Sequence, residues 1–213
     1  MVKKNILQLW ILPIKNEKKL VSDYEKSLSR QLSPKRSKEF IYTRGCVREV
    51  LADFFDIKPL GVPLEALPGK PPKLNNGLGH ITFSHCRDAL FIGWSDIKIG
   101  VDIERKDRSI KSTSLVKRFY CEEEKKELES LTQIDRFQKV LKFWIIKEAA
   151  IKWQEGSISK DLSYWLIKEK QNKIYHKKFD ILLNTLYETY NSWSLGIAHK
   201  SNDLEIKPII KLI

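Results

Sequence analysis

HITFSHCRDALFIGWSDIKIGVDIE, running from His80 to Glu104, is the stretch that decides the fold. Three short apolar runs, ITFSHC, ALFIGW and IKIGVDIE, are separated by the turn-forming pairs Arg87-Asp88 and Ser95-Asp96. This pattern reads as an antiparallel meander. Alternate side chains of a strand share a face, so Val101 and Ile103 are expected in a core and Asp102 and Glu104 together on the other side. Two carboxylates so close repel each other unless a cation lies between them. A hard divalent ion that keeps several waters and takes phosphate oxygens suits one or two carboxylates. Taken alone, a D-x-E strand is better described as an exposed edge with solvated acids.

Upstream, Ser33 to Phe55 carries apolar residues near helical spacing, with Lys35, Arg36, Lys38, Arg44 and Arg48 between them. A helix with a basic face is expected there. Ile57 to Gly79 then holds Pro59, Pro63, Pro68, Pro71 and Pro72 with Gly61, Gly69, Gly77 and Gly79, a density of helix breakers that demands turns. Connections of that length in compact domains are usually functional. Within it Gly69-Lys70-Pro71 sets a cation in a stiff turn, and Ser84-His85 ends the first strand of the meander. Singly, Lys70 reads as a loop lysine and His85 as a satisfied histidine. Together with Arg44 they supply the donors that hold phosphate groups.

Downstream, Ser112 to Tyr120 and Glu122 to Leu131 read as short helices and Asp135 to Gln154 as one long helix stopped by Gly156. The segment from Phe143 to Trp153 is apolar almost all round, which marks a helix buried on most sides. Glu148 and Lys152 stand out against it. At i and i+4 they share one face, as does Trp144 one turn earlier, so a carboxylate, an ammonium and an aromatic ring can line one cleft. An ordinary Glu-to-Lys helix pair has the same spacing. LSYWLIK, KIYHKKFD, TLYETYNSW and SLGIAHK then alternate as strands. The expected class is α+β, each half giving a helix followed by antiparallel strands. The boundary falls near Ser95 to Val101, giving lobes of residues 1–99 and 100–213.

Composition sets the frame. The 213 residues are 42% hydrophobic and 10% aromatic, enough to fill a core. No run is apolar and long enough to cross a bilayer, and Met1 to Ile14, followed at once by charged residues, reads as a first strand rather than a signal peptide. Cys46, Cys86 and Cys121 are odd in number and too widely spaced for a zinc site, which points to a reducing cytoplasm. The formal charge of +12 attracts polyanions of any kind.

In this order the pieces resemble the 4′-phosphopantetheinyl transferases, in particular the longer two-lobed type exemplified by the surfactin-synthetase activator. Gly100 to Glu104 matches the family's G-[IV]-D-[IV]-E strand. Trp144 to Lys152 matches its [FW]-x-x-K-E-[AS]-x-x-K helix. Gly69-Lys70-Pro71, Phe83-Ser84-His85 and Val116 to Tyr120 match the G-K-P turn, the N-x-S-H-S strand and the A-x-R-F-F segment, with Cys86 standing where serine is usual and Phe83 and Thr82 preceding Ser84. The resemblance implies a pseudo-dimer of two similar α+β lobes in one chain, acting as a monomer, with coenzyme A in the cleft between them. It implies magnesium bound by Asp102, Glu104 and Glu148. Lys70, Ser84, His85 and Arg44 would hold the phosphates of coenzyme A, with Lys38 a further basic residue of the first helix. Lys152 would bind the transferred phosphate, and Glu148 would be the base that deprotonates a serine of the carrier. The implied partner is an acidic acyl or peptidyl carrier protein, not nucleic acid or membrane, and the implied second product is adenosine 3′,5′-bisphosphate.

Two other readings fit parts of the sequence. A magnesium-dependent nuclease or phosphodiesterase also uses paired carboxylates, a lysine and a basic surface. It leaves Gly69-Lys70-Pro71 and Ser84-His85 without a role. A non-catalytic nucleic-acid-binding module would draw on the charge and the six tryptophans, but Trp144 and Trp153 lie on the helix expected to be buried.

Overall fold

The computed structural model describes residues 4–15, 17–109 and 112–211. Met1 to Lys3, part of the stretch expected as the first strand, lie outside them. The chain runs β1 (Asn5–Pro13), α1 (Asp23–Ser29), α2 (Pro34–Phe55), β2 (Leu64–Glu65), β3 (Lys73–Leu74), β4 (His80–His85), β5 (Ala89–Ser95) and β6 (Ile99–Arg105). It continues as α3 (Ser112–Phe119), α4 (Glu122–Glu129), α5 (Gln133–Gln154), α6 (Ile158–Asp161), β7 (Trp165–Lys168), β8 (Lys173–His176), β9 (Ile181–Tyr190), β10 (Trp193–His199), β11 (Leu204–Ile206) and β12 (Ile210–Lys211). The fold is mixed α+β. One sheet has the order β11-β1-β5-β4 with β12 also on β1, the second runs β6-β10-β9-β8-β7, and β2 pairs with β3. Among the described residues no helix is long and apolar enough to cross a membrane.

The expected meander is in fact a hairpin. β4 and β5 pair antiparallel, but both edges of β5 are taken, one by β4 and the other by β1. β6 therefore leaves that sheet and pairs with β10 at the edge of the second. The turn between β5 and β6 is tied to the first sheet, since Asp96 Oδ1 accepts from the Ile6 amide at 2.9 Å. The predicted alternation along β6 holds. Val101 and Ile103 enter a core packed between the sheets with Leu7, Leu9, Phe91 and Leu195. Gly100, Asp102 and Glu104 face the other way, toward α5. Near the chain end, β11 and β12 return to pair with β1, so residues 204–206 and 210–211 belong by hydrogen bonding to the first sheet.

α2 starts with Ser33 at its N-cap and Pro34 in its first turn and stops at Asp56 in the left-handed region. Only the first part of its basic face is solvated, since Lys35, Arg36 and Lys38 are exposed while Arg44 and Arg48 are buried. Arg48 pairs with Glu25 of α1 at 2.9 Å and donates to the carbonyls of Pro59, Val62 and Leu64. Arg44 Nε donates to the Ala66 carbonyl at 2.9 Å. These bonds satisfy the carbonyls of a loop that Pro and Gly keep out of regular structure, and they fix the loop that carries Gly69-Lys70-Pro71.

α5 ends at Glu155, whose φ of 61° is left-handed, one residue before the glycine expected to stop it. Its backbone lies directly on β6 and β10. A Cβ on Gly100 would fall 1.9 Å from the Ala149 carbonyl oxygen and 2.5 Å from the Trp153 nitrogen, and one on Gly196 would fall 2.6 Å from an Ile145 methyl. Within α5, Lys147 is fully buried. It pairs with the equally buried Glu124 of α4 at 2.7 Å and donates to the Trp165 carbonyl at 2.6 Å. Glu124 Oε1 in turn accepts from the Ile167 amide at 3.0 Å, covering the β7 edge of the second sheet.

Two outcomes are expected in urea denaturation. Lys147→Met strands the Glu124 carboxylate in the core and lowers stability by about 3–5 kcal/mol. Gly100→Ala forces β6 off α5 and costs about 1–3 kcal/mol or more, as overpacking does; unchanged midpoints in either case contradict the packing described.

Candidate functional site

A cleft of about 920 Å³ opens where the loop after α2 and strand β4 meet β6, α5 and α6. Four of the residues singled out from sequence line it, namely Arg44, Lys70, Glu148 and Lys152. Arg44 stands with its guanidinium 4.4 Å from the ring centroid of Phe40 and 4.8 Å from that of Phe83. Burial pulls its pKa down to about 10, so it stays charged near neutral pH. Lys70 is exposed in a turn in which its amide donates to the Leu67 carbonyl and Gly69 takes a φ of +71°. That positive φ favours glycine at position 69.

Asp102 and Ser84 lie just behind Lys152. The Ser84 hydroxyl donates to Asp102 Oδ1 at 2.6 Å and Lys152 Nζ approaches the same oxygen at 2.7 Å. Asp102 is 3% exposed, and its Oδ2 is buried without a hydrogen-bond partner. β4 from the first sheet, β6 from the second and α5 thus meet at one carboxylate oxygen. His85 is exposed at the end of β4, one residue beyond Ser84. Lys38 is exposed in the first turns of α2, and its side chain is not among those lining the cleft.

Glu148 is half-buried, and its carboxyl is pushed up to about 7. Burial is the main cause and the Asp102 charge adds to it, while Lys152 and Arg108 pull the other way. Glu104 points to the same side of β6 as Asp102 but is ion-paired with Arg108. Trp144, one turn before Glu148, is buried beneath Arg108, whose guanidinium lies 5.8 Å from the ring centroid. Among the described residues no three His, Cys, Asp or Glu side chains are gathered closely enough to hold a metal. Glu104 is turned to Arg108, leaving Asp102 and Glu148 as the carboxylates that influence one another.

Sequence reasoning passed over Arg108, Phe40 and Phe83 as neighbours of these groups. For Arg108 the available signal was its position four residues after Glu104. The aromatic sandwich around Arg44 had none, since it joins α2 to a strand of the hairpin.

Residues 98–204 match the family model of the 4′-phosphopantetheinyl transferase superfamily. The chain belongs to that superfamily, and its general activity is phosphopantetheinyl transfer. No curated protein matches the chain. Membership favours the transferase over the nuclease and nucleic-acid-binding readings.

The raised carboxyl of Glu148 sets a pH dependence. A group that binds its proton more tightly when folded than unfolded stabilises the fold at low pH, and that stabilisation is lost as pH rises from about 4.5 through about 7. Without divalent ions, wild-type stability is expected to fall across this window by on the order of 1–3 kcal/mol. Glu148→Gln should remove that component of the slope and be the more stable protein at pH 8. An identical profile for both would show that Glu148 titrates normally.

Proposed function

We propose that this chain is a two-lobed transferase of the surfactin-synthetase-activating type. It moves the 4′-phosphopantetheine arm of coenzyme A to a serine of an acidic acyl or peptidyl carrier protein. The observation that carries the reading is the convergence of Ser84 and Lys152 on Asp102, with Lys152 lining a cleft together with Glu148, Arg44 and Lys70. The two lobes are residues 1–99 and 100–213, acting together as a monomer. Support for the pseudo-dimer comes from α2 and α5, each of 22 residues and each packed on a sheet, the first mixed and the second antiparallel. The formal charge of +12 suits fast, salt-sensitive docking of an acidic carrier. The absence of disulfides among the described cysteines accords with a cytoplasmic setting.

In this reading Arg44, Lys70, Ser84 and His85 hold the phosphates of coenzyme A, and Lys152 donates to the phosphate that moves. A magnesium ion, which takes one or two carboxylates and completes its shell with water and phosphate oxygens, suits the pair Asp102 and Glu148. The donor set is all carboxylate oxygen, Asp102 Oδ2 is buried without a hydrogen-bond partner, and burial together with the Asp102 charge raises the Glu148 carboxyl, which a cation would relieve. Asp102 and Glu148 would hold the ion, joined by Glu104 once it is free of Arg108, and the ion would supply neutralising charge to the pyrophosphate. Glu148 takes the proton from the carrier serine hydroxyl, and a pKa near 7 matches that task at neutral pH. The serine oxygen bonds to the pantetheine-bearing phosphorus. The bond from that phosphorus to the bridging oxygen breaks, and adenosine 3′,5′-bisphosphate leaves. Positioning and charge carry such a transfer without an enzyme nucleophile.

Incubated with coenzyme A, magnesium and an apo-carrier protein, the enzyme is expected to raise the carrier's mass by one phosphopantetheine arm. Glu148→Gln should abolish the transfer while keeping the fold. Failure to modify any of several carriers would sink the reading, and full activity of Glu148→Gln would remove the base.

A further inference from the structure

Both carboxylates that β6 turns toward α5 already carry a cation from the chain itself, but the two cations are held differently. Lys152 rises from α5 to an oxygen that also takes the Ser84 hydroxyl, and Asp102 is almost fully buried. Arg108 comes from the loop after β6, and its side chain is 38% exposed. The loop backbone beneath it is fixed. The Lys106 amide donates to the Ser192 carbonyl at 2.9 Å and the Arg108 amide to the Arg105 carbonyl at 3.1 Å. Arg105 is clamped by Asp107 and Asp88. The Arg108 side chain itself is held by Glu104 on one side and the Trp144 ring on the other. A partly exposed pair of this kind is worth little, so it is readily exchanged. Trp144, over which the guanidinium lies, is one turn of α5 before Glu148, which lines the cleft.

Resting on the transferase reading above, we propose that Arg108 competes with the divalent cation for Glu104 and so makes binding of the metal depend on the pyrophosphate. With Arg108 seated, the ion meets Asp102 and Glu148 alone and binds weakly. A pyrophosphate in the cleft supplies further oxygen ligands to the ion. It also offers Arg108 a phosphate partner suited to a guanidinium fork, releasing Glu104. Arg108 is then a positioning residue that couples two ligands, and ion and coenzyme A bind as a pair.

Manganese binding to the full chain, followed by the paramagnetic resonance signal of the free ion, tests this without any transfer assay. Wild type is expected to bind manganese weakly alone and at least about tenfold more tightly with coenzyme A, within the ordinary range of coupling between sites. Arg108→Ala should bind manganese alone about fivefold more tightly, the worth of one partly exposed ion pair. Its gain from coenzyme A should shrink. Arg108→Lys, which keeps the charge, should restore most of the coupling. Adding Glu104→Gln to Arg108→Ala should cancel the tighter binding. If wild type binds with coenzyme A but Arg108→Ala is no tighter alone, or the gain survives Glu104→Gln, the role of Arg108 is wrong and the transferase reading stands. If no form binds manganese even with coenzyme A, the metal site fails and this inference with it.

Discussion

Everything around the cleft depends on how closely β6 lies against α5. The separation is so small that residue 100 has no room for a side chain, because a Cβ would sit on the helix backbone at Ala149 and Trp153. Two residues further along the same face, Asp102 therefore reaches Lys152 directly. The opposite face of β6 is Val101 and Ile103, locked into the core between the sheets. One strand thus fixes the distance between the sheets and the distance from carboxylate to helix at once. Neither can change without disturbing the other, since packed interiors do not deform continuously.

The same closeness explains the electrostatics. Burial is what chiefly raises the Glu148 carboxyl, and the charge of the nearly inaccessible Asp102 beside it adds to the effect. Lys152 neutralises one Asp102 oxygen and leaves the other bare. Polar atoms left in this state are uncommon in folded proteins. Lys147, the immediate neighbour of Glu148, has the opposite character. It is fully buried and paired with Glu124, with which it joins α4, α5 and the edge strand β7. Adjacent residues of one helix thus serve the core and the cleft.

The basic residues of α2 divide similarly. Arg48 is wholly occupied with Glu25 and loop carbonyls, so its charge is spent inside the fold. Arg44 gives one nitrogen to the loop and lies between two aromatic rings at the cleft. A guanidinium stacked in this way keeps its plane fixed, which suits recognition of a planar or forked anion.

The sequence by itself determined the α+β class, the inward turn of Val101 and Ile103, and the shared face of Glu148 and Lys152. These follow from the local periods of strand and helix, which need no knowledge of neighbours. The motif order from Gly69 to Lys152 pointed to the family for the same reason. Only the tertiary structure decided that β6 leaves the first hairpin for the second sheet, because that depends on β1 having already taken the far edge of β5. It alone decided that Arg48 and Lys147 are interior and that Ser84 meets Asp102, since each contact joins elements distant in the chain. Glu104 shows the limit most clearly. Strand alternation put it on the right face, but its partner was settled by the loop that brings Arg108 back over Trp144.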